Sequence, residues 1–384
     1  MNCKIIPRIA KIISNTIHIT FKFGDHNLNL KNLGWNSTLD DFIKEKNIKD
    51  LIPGRVANQN GKHYKIMTQE GEQNAILSNS FLNSIKNKSE IPAVGDWVGL
   101  KKNIDINTCY IQILFPRKNR LSRKVAGKKS EEQIIASNID VAFIITSVDR
   151  DFNIRRLERY LSMVYEINAK PIIILNKTDK ISNIGKFLKE TEFLSKKIPI
   201  IAISAKKGYN IDEVLKFVKT GKTIVLIGSS GVGKSTLINQ LLGYSRQAVG
   251  EIRKTDGKGR HVTSSRELIM LPNGGMLIDN PGLREIQLWT TGKGISKTFE
   301  DIEEISRYCK YRNCLHDQEP GCAVKRAVEE GKISIDRLNS FKKLLKEQEY
   351  SRLRRSVYEK RKKDKQLGKI YRQGENIRKL RGKK

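Results

Sequence analysis

Short stretches in which apolar and polar residues alternate occupy the chain between residues 51 and 116. Five of them are separated by turn residues, at Gly54–Val56, His63–Met67, Gln73–Leu77, Asp96–Lys101 and Cys109–Leu114. A period of two is typical of strands that bury one face. Five short strands at this spacing predict a small closed barrel such as an OB-fold. Barrels of this kind bind RNA in some proteins and bind protein or only pack in others, and both interpretations stay open.

A second pattern runs from residue 134 to residue 287, where apolar runs alternate with segments of helical period. The predicted strands are Val141–Val148, Ile172–Leu175, Ile198–Ile203, Thr223–Ile227 and Met276–Ile278. The predicted helices between them are Arg155–Ile167, Ile184–Ser195, Ile211–Val218 and Ser235–Leu242. This alternation predicts a largely parallel, doubly wound sheet, which places its ligands just after strands.

The ends of the chain are helical in pattern. Leu30–Ile48 predicts a small helical cap, and Val324–Glu330 and Ile335 to about Gly368 predict two C-terminal helices. The fold class is therefore a multidomain α/β protein. We divide it into an N-terminal extension (1–50), the barrel (51–116), the α/β domain (117–290) and a helical domain with a basic tail (291–384).

A glycine-rich stretch, GSSGVGKS at Gly228–Ser235, lies between a predicted strand and a predicted helix. Its glycines let successive N–H groups face one anion, and the helix N-terminus adds partial positive charge. We expect Lys234 to reach the β- and γ-phosphates of a nucleoside triphosphate and the Ser235 hydroxyl to hold Mg²⁺. The expected binding residues are Gly228, Ser229, Ser230, Gly231, Val232, Gly233, Lys234, Ser235 and Thr236.

The identity of the base is indicated by two further loops. The residues that we assign to it are Asn176, Lys177, Thr178 and Asp179, which read N-K-x-D after one strand, and Ser204, Ala205 and Lys206 after the next. Guanine presents a ring N–H beside an NH₂ group, and the Asp179 carboxylate can accept from both, whereas adenine has no such pair. Asn176 is expected to brace the loops and the Lys177 stem to lie over the base. We predict GTP.

These loops stand in permuted order, because in common GTPases the phosphate loop comes first. A fold survives circular permutation when the new termini fall in a surface loop. Asp279 opens the motif D-x-P-G and is expected to support Mg²⁺, while the Gly282 N–H would sense the γ-phosphate. In the polar segment Gly250–Ser265, Thr263 is the candidate switch threonine, with Ser264 and Ser265 as alternatives.

Leu283 stands near the place where many GTPases carry a glutamine that orients the attacking water. Leucine cannot do this, so unaided hydrolysis is expected to be slow, with activation by a partner or by another residue. His261 is one candidate, through a neutral imidazole. An exposed or RNA-contacting histidine is the alternative. The expected catalytic residues are His261, Thr263 and Asp279.

Three thiols and one imidazole fall within fourteen residues, at Cys309, Cys314, His316 and Cys322. Four such ligands suit tetrahedral Zn²⁺ and leave no open position, so we predict a structural zinc site. Cys3 and Cys109 are left as ordinary reduced thiols. Free thiols and the lack of a signal-like N-terminus or membrane span favour a cytoplasmic protein.

The charge of the chain indicates a nucleic-acid partner. Lys and Arg number 73 against 41 acidic residues, a formal charge of +32. Pro116–Lys129 is a basic connector, interpreted either as a linker or as a phosphate contact. Phe341–Lys384 holds 18 basic and 5 acidic residues, and this tail either follows RNA phosphates or is a solvated helix.

Together these motifs resemble the ribosome small-subunit-dependent GTPase A (RsgA, also YjeQ) family. The resemblance covers about Leu51–Tyr350, through PRKNRLSRK, NKTD, GSSGVGKST, GRHVTSSREL, IDNPG and the cysteine–histidine cluster. It implies an OB-fold, a permuted GTPase domain and a zinc domain acting late in 30S maturation, with hydrolysis stimulated by the subunit. The implied partners are the 30S subunit, rRNA and GTP or GDP. We expect the protein to be a monomer and to have no membrane partner.

Two departures from the family pattern concern the switches. His261-Val-Thr-Ser stands where relatives read His-Thr-Thr-Thr, and Asn280 replaces a usual Thr.

Two other functions stay open from the sequence. One is an RNA-tethering zinc protein whose nucleotide fold is passive, and the other is a permuted GTPase that acts on the large subunit.

Overall fold

The computed structural model describes residues 29–103, 108–124, 132–149, 151–194, 197–245, 266–279 and 292–353. The first described elements form the expected cap, a 3₁₀ turn at Leu30–Leu33 and helix α1 (Ser37–Glu45). Asn36 caps α1 by accepting a hydrogen bond from the N–H of Leu39 at 3.3 Å. The cap covers one end of the barrel, where Trp35 packs edge-on against Trp97.

The predicted barrel is confirmed. Its elements are β1 (Ile52–Asn60), β2 (His63–Thr68), β3 (Gly71–Leu77), α2 (Asn79–Ser84), β4 (Trp97–Lys102) and β5 (Cys109–Leu114). The strands follow the order β1-β2-β3-β5-β4, and β4 pairs again with β1, so the sheet closes. Only β3 and β5 run parallel within it. Val56, Ile66, Val98, Leu100 and Ile111 fill the interior with no exposed surface.

The α/β unit follows the predicted alternation. It starts with a two-stranded sheet, β6 (Arg120–Lys124) and β7 (Glu132–Ser137). The main elements are β8 (Val141–Ser147), α3 (Ile154–Glu166), β9 (Lys170–Asn176), α4 (Gly185–Glu192), β10 (Ile200–Ala202), α5 (Ile211–Leu215), β11 (Thr223–Ile227), α6 (Lys234–Leu242), β12 (Glu267–Met270) and β13 (Met276–Asp279).

These strands form a sheet in the order β10-β9-β8-β11-β13-β12, in which only β12 is antiparallel to its neighbour. Every residue of β8 and β11 is buried, because helices cover both faces of the sheet. The nucleotide loops predicted from the sequence follow β9, β10 and β11. They therefore lie together at the carboxyl edge of the sheet.

The barrel and the parallel sheet are joined through β1. Asn58 of β1 pairs with Glu267 of β12, so the two parts share one 11-stranded sheet. The Arg55 guanidinium is buried at this junction and donates hydrogen bonds to the Leu33, Gly95 and Asn138 carbonyls and to Thr223 Oγ1. Burial lowers the pKa of Arg55 to about 10.

Residues 292–353 form the C-terminal module. Its helices are α7 (Lys293–Thr298), α8 (Glu300–Ser306), α9 (Ala323–Glu329) and α10 (residues 335–353). The module packs on α3 through α7, and a Cβ added at Gly294 would lie 1.9 Å from the Ser162 carbonyl oxygen. Only glycine permits this backbone approach. The predicted continuation of α10 to about Gly368 lies outside the described residues.

The described part of the basic connector is folded, and several of its cations pair with acidic side chains. Arg117 is nearly buried and pairs with Asp96 at 2.5 Å, while Lys118 pairs with Asp140 at 2.8 Å. Arg120 belongs to β6 and reaches Glu132 of β7 at 3.0 Å. This part of the connector is therefore not a free linker, while Arg123 is exposed and donates to the neutral side chain of Gln133, so phosphate contact stays a prediction. Within the described residues, no helix has the length and apolarity needed to cross a membrane.

Candidate nucleotide site and metal centre

The phosphate loop joins β11 to α6 and requires glycine at two positions. Gly231 and Gly233 have φ of 76° and 97°, in the left-handed region that favours glycine. A Cβ at Gly233 would lie 2.2 Å from Asn176 Nδ2, so the loop also passes too close to β9 for a larger residue. Ser235 and Thr236 fall in the first turn of α6, as predicted.

Asn176 connects the phosphate loop with both base-reading loops. Its Nδ2 donates to the Val232 carbonyl at 2.8 Å, and its Oδ1 accepts from the Ala205 N–H at 3.0 Å. The predicted brace is therefore present, and one buried amide holds the three loops at a fixed separation. Thr178 adds a backbone bond from its N–H to the Ile203 carbonyl at 3.2 Å.

Lys234 lies against the phosphate loop. Its Nζ donates to the Gly228 carbonyl at 2.8 Å and to the Ser229 carbonyl at 2.5 Å. The ammonium is thus held at the loop, beside the N-terminus of α6. A cation and a helix N-terminus in one place form a site for an anion such as phosphate.

Asp179 is half-buried and ionised. Its Oδ1 accepts from the Ser204 hydroxyl at 2.5 Å, and this hydrogen bond lowers the pKa of the Asp179 carboxyl. Ser204 in turn accepts from the Lys207 N–H at 3.2 Å, while Lys206 next to it is exposed. An ionised carboxylate held in this way can accept from two adjacent donors, which is what guanine offers.

Two carboxylates that the sequence analysis missed belong to the same site. Asp149 Oδ2 binds Lys177 Nζ at 2.9 Å, and Asp151 Oδ2 accepts from the Ser229 hydroxyl at 2.6 Å. Burial opposes ionisation of Asp149, but hydrogen bonds from Lys177 and Ser147 hold its pKa below the usual range. The available signal was their position directly after the buried strand β8, where this architecture places ligand-contacting residues.

Asp279 ends β13 next to the phosphate loop. Ile278 pairs with Val225 of β11, so Asp279 lies level with Leu226, two residues before Gly228. Asp279 is half-buried, and in the antiparallel pairing of β12 with β13 its backbone stands opposite that of Glu267. The other predicted switch residues, His261, Thr263, Asn280, Gly282 and Leu283, lie outside the described residues.

The predicted zinc ligands converge. The ligand atoms of Cys309, Cys314, His316 and Cys322 all lie within 4.8 Å of one another. Cys309 Sγ is 3.9 Å from Cys322 Sγ, and His316 Nδ1 is 3.7 and 3.4 Å from these two sulfurs. Ligands about 2.3 Å from one tetrahedral Zn²⁺ are separated by about 3.8 Å. The four residues therefore fit a closed, structural zinc site.

The backbone around His316 is held by two charged side chains. The Glu319 carboxylate accepts from the Leu315 and Asp317 N–H groups, each at 2.8 Å, which flank His316 on both sides. Lys342 of α10 donates to the His316 carbonyl at 2.5 Å. Cys109, by contrast, is buried in the barrel away from this cluster, where burial raises the pKa of its thiol.

Comparison with known proteins agrees with this geometry. The family model described as RsgA GTPase matches residues 114–289. A model described as ABC transporter also matches residues 212–373, a span that contains the phosphate loop but neither base-reading loop. "Small ribosomal subunit biogenesis GTPase RsgA 2" of Vibrio parahaemolyticus is 37% identical over 89% of this chain and 92% of the relative.

Other matches extend over similar lengths. "Small ribosomal subunit biogenesis GTPase RsgA" of Methanosarcina acetivorans is 39% identical over 82% of this chain and 84% of the relative. The crystal structure of YjeQ from Thermotoga maritima aligns with a TM-score of 0.60 and 23% identity, covering 78% of this chain and 98% of YjeQ. The structure of YloQ, described as a circularly permuted GTPase, aligns at 0.57 with 24% identity over 78% and 95%. The structural matches support the permuted fold, and the curated relatives share more than a third of their residues over most of both lengths: this chain belongs to the RsgA GTPases.

Proposed function

We propose that this chain is a GTPase of small-subunit biogenesis, which binds the 30S subunit and hydrolyses GTP in response to it. The observation that supports this most directly is the junction at Asn176. Its amide joins the phosphate loop to the loop of Ala205, and it belongs to the same N-K-x-D motif as Asp179. A protein that only tethers RNA has no need of such an arrangement.

Within this proposal each predicted site residue that the structure describes has one role in binding the nucleotide or its metal. Asp179 accepts both guanine donors, and Lys234 contacts the β- and γ-phosphates. Ser235 and Asp279 would hold Mg²⁺, which would neutralise charge on the phosphates. The residues outside the described part keep their predicted tasks: Thr263 for the metal, Gly282 for the γ-phosphate and His261 for the attacking water.

Zinc, in this proposal, would be held by the three cysteines and His316 and would stabilise the C-terminal module.

The contact with the 30S subunit, in this proposal, is with rRNA. The stretch from Arg307 to Arg312 supports it, because exposed arginines at both ends and Lys310 adjoin Tyr308 in sequence, a residue that is 82% exposed. Lys310 Nζ also lies over the Tyr311 ring at 5.6 Å. Cations next to an exposed ring suit phosphates and unpaired bases.

The first experiment is sedimentation of the full-length protein with purified 30S or 50S subunits in the presence of a non-hydrolysable GTP analogue. We expect the protein to pellet with 30S subunits and to remain in the supernatant with 50S subunits. GTP hydrolysis is then measured with and without 30S subunits. Groups supplied by partners of other GTPases increase the rate by about 10³- to 10⁵-fold.

Asp179→Asn serves as the specificity control, because an amide cannot accept both guanine donors. Its affinity for GTP is expected to fall, and its affinity for xanthosine triphosphate, which carries a carbonyl in place of the NH₂ group, is expected to rise. Co-sedimentation with 50S subunits instead, or a hydrolysis rate that 30S subunits leave unchanged, would contradict the proposal.

A further inference from the structure

We propose that Asp151 is a positioning residue of the phosphate loop, whose carboxylate fixes Ser229 and so sets the loop in the conformation that binds guanine nucleotide. The inference rests on the proposed function and assigns a task to a residue outside the recognised motifs. It concerns the binding of the nucleotide phosphates and leaves the hydrolytic step to other residues.

Ser229 is held through its hydroxyl and through its carbonyl. Its hydroxyl donates to Asp151 Oδ2 at 2.6 Å, and its carbonyl accepts from Lys234 Nζ at 2.5 Å. Ser229 is the second residue of the loop, between buried Gly228 and exposed Ser230. The hydrogen bond that the Ser229 hydroxyl donates to Asp151 therefore fixes the loop where it leaves the sheet core and enters solvent.

Asp151 is itself anchored on α3. Arg156 in the first turn of this helix pairs with Asp151 Oδ2 at 2.9 Å and also donates to the Asp151 carbonyl. Asn153 caps the helix by accepting from the Arg156 N–H at 3.0 Å. The arginine also compensates the carboxylate charge, which would otherwise repel the nucleotide phosphates.

The same segment holds the base-reading loop. Asp149 Oδ1 accepts from the Asp151 N–H at 3.0 Å, while its Oδ2 binds Lys177. The two aspartates are thus coupled through one backbone bond, one of them touching the N-K-x-D loop and the other the phosphate loop. The connection between β8 and α3 acts as a common support for both loops.

Such a support matters because a loop that is already ordered loses less conformational entropy when it binds. Loss of a buried hydrogen bond to a charged group weakens an interaction more than loss of an exposed ion pair does. Asp151 is partly exposed, so we expect its loss to weaken binding by about fivefold. GDP and GTP are affected equally, since they share the phosphates next to this loop.

The test is a double-mutant cycle on the full-length protein, with GDP affinity measured by calorimetry. Asp151→Ala and Ser229→Ala are each expected to weaken binding by about fivefold, and the double variant to be no weaker than either single one. Asp151→Asn keeps an acceptor oxygen and should lose less than Asp151→Ala. Asp41→Ala, which removes an exposed carboxylate on α1, is the matched control.

Two readouts separate positioning from a general structural effect. Thermal unfolding without nucleotide should change no more than in Asp41→Ala, and in 30S-stimulated hydrolysis the loss should fall on KM more than on kcat. If Asp151→Ala fails to fold, Ser229→Ala still carries the test. Wild-type affinity in Ser229→Ala, or additive losses in the cycle, would overturn the inference. Failure of the wild-type protein to bind GDP would instead refute the proposed function.

Discussion

At His316 the backbone has φ of 59°, a left-handed conformation that a residue with a side chain adopts only where its neighbours hold it. Glu319 provides that hold, since it accepts the N–H groups on both sides of His316. These bonds lower the pKa of Glu319 to about 2, so the carboxylate stays ionised at neutral pH. The orientation of the imidazole toward the three sulfurs depends on this turn.

Glu319→Ala is therefore expected to weaken zinc binding by about 10- to 100-fold, the range seen when a residue that orients a metal ligand is removed. Competition with a chromophoric chelator measures the affinity directly. Glu329→Ala, at the exposed end of α9, removes the same type of side chain without touching the turn. Equal zinc retention in both variants would show that the turn holds without Glu319.

At the level of elements, strand β1 pairs both within the barrel and with the parallel sheet. It is a barrel strand that pairs with β2 and β4, and it also borders β12 of the parallel sheet. Arg55 points from it into the junction, where it bonds Thr223 at the start of β11 and lies over the Trp97 ring at 5.7 Å. The barrel is thus fastened to the strand that leads into the phosphate loop.

Arg55→Met should destabilise the protein by about 3 kcal/mol or more, because several buried acceptors would lose their donor at once. Urea unfolding followed by fluorescence gives the change in the free energy of unfolding. Arg352→Met on α10 is the control, since that side chain is exposed. A change below 1 kcal/mol in Arg55→Met would mean that water replaces the guanidinium at these acceptors.

The elements that could be predicted from the sequence are those in which apolar residues recur at a clear period and in which neighbouring turn residues mark both ends. The five barrel strands and the alternation from β8 to α6 are of this kind, as are the nucleotide loops that follow β9, β10 and β11. The sequence analysis missed β6, β7 and β12, which are short and paired with distant segments. Arg117 looked like a free cation because its partner, Asp96, lies 21 positions earlier in the chain. Local pattern carries no information about such pairings.

At the scale of the molecule, α3 serves two regions. Asp151 before its first turn holds the phosphate loop, and its buried Glu158 pairs with Arg337 of α10 at 3.0 Å. Arg337 also binds Asp301 at 2.7 Å and lies over the Phe299 ring at 4.8 Å. A second pair, Arg159 with Glu347, closes at 2.6 Å nearby. The C-terminal module is therefore docked by charge as well as by packing.

Arg337→Met should release this docking, because Glu158 would remain buried with its charge compensated only by Arg155. Removing one partner of a buried ion pair costs about 3–5 kcal/mol. In scanning calorimetry we expect the C-terminal module to unfold in a separate, earlier transition, with zinc still bound to the native protein. Arg326→Met, exposed on α9, is the control. A single transition at the wild-type temperature would contradict this expectation.

The junction at Arg55 also has a consequence for the timing of biosynthesis. Arg55 lies 168 residues before Thr223 and 221 residues before Met276, which it also contacts. At translation rates of about 5–20 residues per second, the second of these partners leaves the ribosome roughly 10–45 s after the arginine. The barrel strands are complete once β5 has emerged, but until Thr223 follows, the Arg55 side chain has no partner from the parallel sheet. The arginine of the nascent barrel therefore stays solvated at the future junction. The barrel docks onto the parallel sheet late, after almost the whole GTPase domain has been synthesised.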